Sequence, residues 1–192
     1  MFDYGDGKSD SKAYDYQGVR TAAGIVSYAS DLASKADIEP DVFELINQSI
    51  YNDNCQGAVI CVVNFLPNIF DSNAEERNNY IATIMKTAKA QRKQPFKWFW
   101  LQAGDQLDLE QSLNLGFGFP AVVAISPSKK MVATMRSSFS TSDLDSFLKN
   151  LLIGKGGLEN LSSEFVVKKA DKWDGKDATP YEEEDLSMYD DL

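Results

Sequence analysis

The run Ala58–Leu66, AVICVVNFL, constrains this chain more than any other segment. It is almost continuously apolar and rich in β-branched side chains. That is the pattern of a central strand buried on both faces, and Pro67 ends it. A second strand is predicted at Phe96–Gln102 (FKWFWLQ), where Trp98 and Trp100 point one way and Phe99 and Leu101 the other, all as core. Between the two lies a strong helix. Ser72 and Glu75 have capping-box spacing, and Arg77, Tyr80, Ile81, Ile84, Met85 and Ala88 hold one face.

Upstream, Thr21–Ser34 reads as a helix capped by Thr21, after a short strand at Ala13–Tyr16. A further helix is predicted over Pro40–Tyr51. Pro40 suits its first position, Asp41 and Glu44 sit at its positive end, and Val42, Ile46 and Ile50 form a stripe. Downstream comes a short helix, Leu107–Leu115, capped by Asp105 or Asp108 and stopped by Gly116. The strands Ala121–Ser126 and Lys130–Arg136 flank a tight turn, Pro127–Lys129, and should pair as a hairpin. A last helix starts at Thr141 or Ser142, turns Leu144, Phe147, Leu148, Leu151 and Leu152 to the core, and ends at Gly154. An extended stretch follows at Glu164–Val167. Alternation followed by a hairpin implies an α/β architecture, a mixed central sheet flanked by helices on both faces.

Composition excludes several chemistries. The chain has no histidine, which removes imidazole acid–base catalysis, Ser-His-Asp triads and imidazole zinc sites. Two cysteines, Cys55 and Cys61, are too few for a cysteine-only zinc site, and five residues separate them, so they form no CxxC pair. No run of about 18 apolar residues is present, so no membrane-spanning helix is expected. The net charge of −10 disfavours nucleic acid as a partner. That charge is concentrated: Asp171–Leu192 holds nine acids and two bases, and the rest 20 acids and 17 bases. The first fifteen residues carry Asp3, Asp6, Asp10 and Asp15 and lack the apolar core of a secretory signal.

Several segments together carry a resemblance. They are Gly116-Phe117-Gly118-Phe119-Pro120 ahead of the hairpin, the stretch around Cys55–Cys61, Phe65-Leu66-Pro67, and Trp173–Asp177 (WDGKD). Together they resemble the C-terminal part of a protein disulfide isomerase of the P-five type. Tyr14–Ala29 resembles the last strand and helix of that family's second catalytic domain. The resemblance implies a thioredoxin-like fold, whose small first edge strand has no evident counterpart in the sequence. It implies residues 1–35 as the end of a preceding thioredoxin domain and 36–157 as a non-catalytic b-type domain. Residues 158–192 are then an extended segment and an acidic, mostly disordered tail. It further implies the endoplasmic-reticulum lumen, although the chain ends Asp190-Asp191-Leu192 without the family's retention signal. Pro120 is expected to be cis, as in the family.

A redox thioredoxin places its cysteines where the first central strand enters the next helix. Here that place reads Phe65-Leu66-Pro67-Asn68-Ile69-Phe70-Asp71, without a nucleophile. The domain is therefore expected not to catalyse dithiol–disulfide exchange. The parent is expected to form, reduce and rearrange disulfides in folding proteins through upstream CxxC domains. Cys55 and Cys61 admit three readings: two separate buried thiols, a structural disulfide in the oxidising compartment implied, or a redox switch. The disulfide requires the chain to turn back at Gln56-Gly57. The apolar set Phe65, Leu66, Pro67, Ile69, Phe70, Phe119 and Pro120 is the candidate client-binding patch, with plain core packing as the alternative. Glu182, Glu183, Glu184, Asp185, Asp190 and Asp191 form a solvated tail or a weak calcium site; no other cofactor is implied. Expected partners are unfolded or misfolded secretory proteins and, from the family, a luminal Hsp70 chaperone. The rival reading is a calcium-buffering luminal protein of calsequestrin type, against which the nearly balanced charge of the body argues.

Overall fold

A computed structural model describes residues 15–35, 39–57, 59–116 and 118–179. The predicted strand at Ala13–Tyr16 falls partly outside them, and Asp15 and Tyr16 are not in a strand. Phe117 and the tail carboxylates Glu182–Asp185, Asp190 and Asp191 also lie outside the described residues.

The sheet is built on the predicted central strand. β2 (Ile60–Leu66) pairs in parallel with β3 (Phe96–Gln102), Val62 opposite Trp98 and Asn64 opposite Trp100, and antiparallel with β4 (Ala121–Ser126). β4 turns through Pro127–Lys129 into β5 (Met131–Thr134), and a two-residue strand β6 (Glu159–Asn160) closes that side. The strand order is therefore β1-β3-β2-β4-β5-β6. Its first member, β1 (Val42–Glu44), runs parallel to β3 on the edge.

β1 corrects the helix predicted over Pro40–Tyr51. The segment splits into the edge strand and a short helix α2 (Gln48–Asn54), whose start is fixed by Asn47 accepting from the Ile50 N–H at 3.0 Å. The helical spacing of Val42, Ile46 and Ile50 is coincidental. Pairing Phe43 with Phe99 buries a strand edge that local pattern does not report.

The helices cover both faces. α3 (Ala74–Ala90) and α5 (Thr141–Leu152) lie on one, over Val62, Leu66, Trp98, Trp100 and Val122. α2 and α4 (Leu107–Ser112) lie on the other, over Cys61, Val63, Phe65, Phe99 and Leu101. Period-two alternation along β2 and β3 thus sorts each side chain to its layer, as predicted for the tryptophans. The caps differ in detail from the sequence reading. Asn73, not Ser72, caps α3 by accepting from Glu76 N at 2.8 Å. Ser140 caps α5, and Gln106 precedes α4 without a side-chain cap bond.

The first helix, α1 (Ala22–Lys35), leaves Ile25 and Val26 45% and 63% exposed. Tyr28 instead packs its ring on Tyr16, centroids 4.9 Å apart.

Residues 161–177 form a strap across the α2–α4 layer and the β1 edge. Phe165 and Val167 are buried in the core, and Phe165 stacks on Tyr51 at 4.5 Å. Gln48 and Gln106 each accept a strap N–H, from Val167 at 2.6 Å and Lys168 at 2.8 Å. Gln106 also donates to the Lys168 carbonyl at 2.8 Å. Ala170 N–H donates to the Ile46 carbonyl, and Trp173 N–H to the Glu44 carboxylate at 2.7 Å. These side-chain amides satisfy strap backbone that would otherwise be buried unpaired.

Candidate functional site

The end of β2 determines what this fold can do chemically. The chain leaves Leu66 into the turn Pro67–Ser72 and enters α3 at Ala74. The turn is braced by Asn68, whose side chain accepts from Phe70 N at 3.0 Å and donates to the Ala103 carbonyl at 3.3 Å. Ser72 Oγ donates back to the Asn68 carbonyl at 2.9 Å. A helix start is a favourable place for an anion or a thiolate. Here it is occupied by carboxylate chemistry from the strap: Asp177 Oδ1 accepts from the Ala74 N–H at 2.5 Å.

Cys55 and Cys61 sit at the opposite end of the strand. They are joined as a disulfide with Cα atoms 5.9 Å apart, both buried, and Gly57 turns the intervening chain with φ 73°. Cys61 lies five residues before Leu66, about 16 Å away along an extended strand. The pair is therefore a staple on the far side of the core and does not face the turn.

The structure divides the candidate apolar set. Phe65 and Leu66 are fully buried, one in each layer, and are core. Ile69 lines a cleft of about 360 Å³ beneath the strap, with Glu44, Arg77, Gln102 and Trp173. Pro67 and Phe119 line a different cleft, of about 560 Å³. Phe70, 57% exposed, projects from the turn that supplies four residues of that second cleft. The Phe119–Pro120 peptide bond is cis, with Phe119 37% exposed and Pro120 half-buried.

The smaller cleft is organised by Arg77, which is only 2% exposed. Its Nη2 donates to the Pro67 carbonyl at 2.8 Å and to Gln102 Oε1 at 2.7 Å. Its guanidinium carbon lies 5.2 Å from the Trp173 ring centre and 5.9 Å from that of Trp100. Burial pulls the Arg77 pKa down, opposed by the charges of Glu44 and Asp105. Burial likewise pushes the Glu44 carboxyl up, opposed by the Trp173 N–H, Lys172 and Arg77. Arg77 thus ties the turn, β3 and the strap together. This is structural work, and the sequence reading assigned Arg77 only to a helix face.

The larger cleft is open to solvent. Its walls are the Pro67–Ser72 turn, Glu76 and Tyr80 of α3, Ala103 and Gly104 after β3, Leu107 and Glu110 of α4, and Phe119. Leu107 is 59% exposed at the rim. Sequence reasoning missed Leu107, Tyr80, Asp71, Glu76 and Glu110. They come from three separate elements, and no spacing pattern brings them together before the sheet is assembled. An apolar residue at the first position of a short helix was the one available hint for Leu107. Among the described residues, no group of three or more histidine, cysteine or acidic side chains is placed to hold a metal ion, and no helix is long and apolar enough to cross a membrane.

Comparison with known proteins agrees with this topology. The family described as PDIA6-like, C-terminal thioredoxin-like domain, matches residues 32–156. Protein disulfide-isomerase 2-3 of Arabidopsis thaliana is 36% identical over 95% of this chain and 42% of its own length. The protein disulfide-isomerase A6 homolog of Caenorhabditis elegans is 35% identical over 97% of this chain and 43% of its own. Human protein disulfide-isomerase A6 is 36% identical over 92% and 41%. The chain therefore spans about two-fifths of the length of these curated relatives. Among solved structures, the bb fragment of ERp72 aligns over 69% of this chain and 56% of its own, with TM-score 0.48 and 18% identity. With a thioredoxin-like sheet, a cis-proline before β4 and this span of sequence similarity, the chain belongs to the PDIA6-like C-terminal thioredoxin-like domain family.

Proposed function

We propose that this domain is a non-catalytic binding module of an endoplasmic-reticulum disulfide isomerase. It holds unfolded segments of secretory clients in the cleft between Leu107 and Phe119. The observation that carries the reading is the position of exposed apolar groups. Phe119, Leu107 and Phe70 are exposed at the one end of the sheet where β2, the cis-proline loop and α4 converge, while the strand residues behind them are core. Large apolar side chains scattered singly need no explanation, but Leu107 and Phe119 lining one cleft of about 560 Å³, with Phe70 exposed on the turn that forms part of its wall, suit a short apolar segment.

A non-catalytic role is supported by the same geometry. The α3 start holds Asn73 and Asp177 in place of a thiol, and both cysteines are spent in the buried staple. The printed names of the relatives are those of disulfide isomerases, which supports isomerase activity for a longer parent chain. Binding of an unfolded, carboxymethylated client should fall at least fivefold in the double variant Leu107→Ser and Phe119→Ser. Both side chains are substantially exposed, so the fold should persist by circular dichroism. Unchanged binding by a folded double variant would sink the reading and direct attention to a folded chaperone partner.

A further inference from the structure

The larger cleft is apolar on its rim but acidic in its wall. Asp71 follows Phe70 on the turn, Glu76 lies in the first turn of α3, and Glu110 projects from α4. Glu110 is buried and accepts from the Gly104 N–H at 2.8 Å, which fixes its carboxylate in place. Among the described residues that line the cleft none is basic. Arg77 is buried on the other side of the turn and donates to the Pro67 carbonyl and Gln102. An occupant therefore meets the exposed carboxylates of Asp71 and Glu76 beside Pro67, Tyr80, Leu107 and Phe119.

We infer that, within the client-binding reading on which this rests, the cleft selects unfolded segments in which a large apolar residue is flanked by lysine or arginine. The apolar side chain enters between Leu107 and Phe119, and the flanking cation reaches Asp71 or Glu76. Long basic side chains suit such a site because their methylene stems cover apolar surface while the charge reaches the carboxylate. Acidic segments meet like charge along this wall and are rejected, so the charge acts mainly as a specificity device. Surface pairs of this kind are individually weak, and two of them amount to about a fivefold to tenfold preference at low salt.

The test uses the full chain and three labelled unfolded peptides with the same apolar centre, flanked by lysine, serine or glutamate, in fluorescence anisotropy. The expected order of affinity is lysine, serine, glutamate, converging at high salt as the charges are screened. The double variant Asp71→Asn and Glu76→Gln should weaken the lysine peptide about fivefold or more, bringing it level with the serine peptide. Equal affinity for all three peptides overturns the charge preference and leaves the client-binding reading standing. No binding of any peptide overturns both. A lysine preference that survives intact in the double variant places the selectivity outside this cleft and overturns the assignment.

Discussion

Replacing Phe165 by alanine tests whether the strap is part of the domain's core. Phe165 is 5% exposed and stacks on Tyr51, in the same layer as Phe99 and the disulfide. Truncating a buried phenylalanine costs about 3–5 kcal/mol, which includes both the lost transfer energy and the cavity left behind. A domain of this size has about 5–15 kcal/mol in total, so the loss is a large share of it. In urea, with a slope of about 1–3 kcal/mol per molar, the midpoint should fall by about 2 M. Fluorescence of Trp98, Trp100 and Trp173 follows the transition, and the slope should not change if the native fold is kept. The neighbouring Val166, exposed on the strap, is the control: Val166→Ala should stay within about 0.5 kcal/mol. A strap held only marginally would cap the Phe165→Ala loss at its own small net stability. A loss under about 1 kcal/mol would therefore refute the claim that residues 161–177 complete the core.

Other perturbations follow from the same geometry. Replacing both Cys55 and Cys61 by alanine should cost about 2 kcal/mol in urea denaturation, the loop-entropy value for a ring this short. Glu44 holds its proton more tightly folded than unfolded, because burial raises it above the ordinary 4.5. Stability should therefore fall as pH rises from below 4.5 through the raised value, and Glu44→Gln should remove that slope in unfolding measured against pH. Burial pushes the Tyr51 phenol up to about 12, so an alkaline absorbance titration should show one tyrosine ionising well after the exposed ones, until the chain unfolds. The chain should show no turnover in insulin reduction, since neither cysteine is a free thiol at the α3 start. A measurable rate would overturn the non-catalytic reading.

What the sequence made legible was the part governed by local pattern. The apolar run ending at Pro67 located β2, alternation sorted Trp98 and Trp100 from Phe99 and Leu101, and Gly154 closed α5. What it hid was decided by long-range pairing. Val42–Glu44 became a strand only because β3 offered an edge, against a helical spacing that local reasoning preferred. The strap was hidden for a related reason. Glu164–Val167 reads only as an extended stretch, and it is the folded body that supplies Gln48 and Gln106 to bind the backbone at Val167 and Lys168. The candidate patch was legible as a neighbourhood and not as a surface. Phe119 and Pro67 line one cleft, whereas Phe65 and Leu66 belong to the core and Ile69 to the strap side. A linear motif cannot separate the two faces of a turn.

The most direct measurement of the central claim is an amide-resolved NMR titration of the isotope-labelled chain with an unfolded client peptide. The account predicts saturable shifts clustered at Asp71, Ser72, Gly104, Leu107 and Phe119, with the Cys55–Cys61 end and the Phe165 strap unmoved. Shifts centred on the disulfide end, or none at saturating peptide, would contradict it.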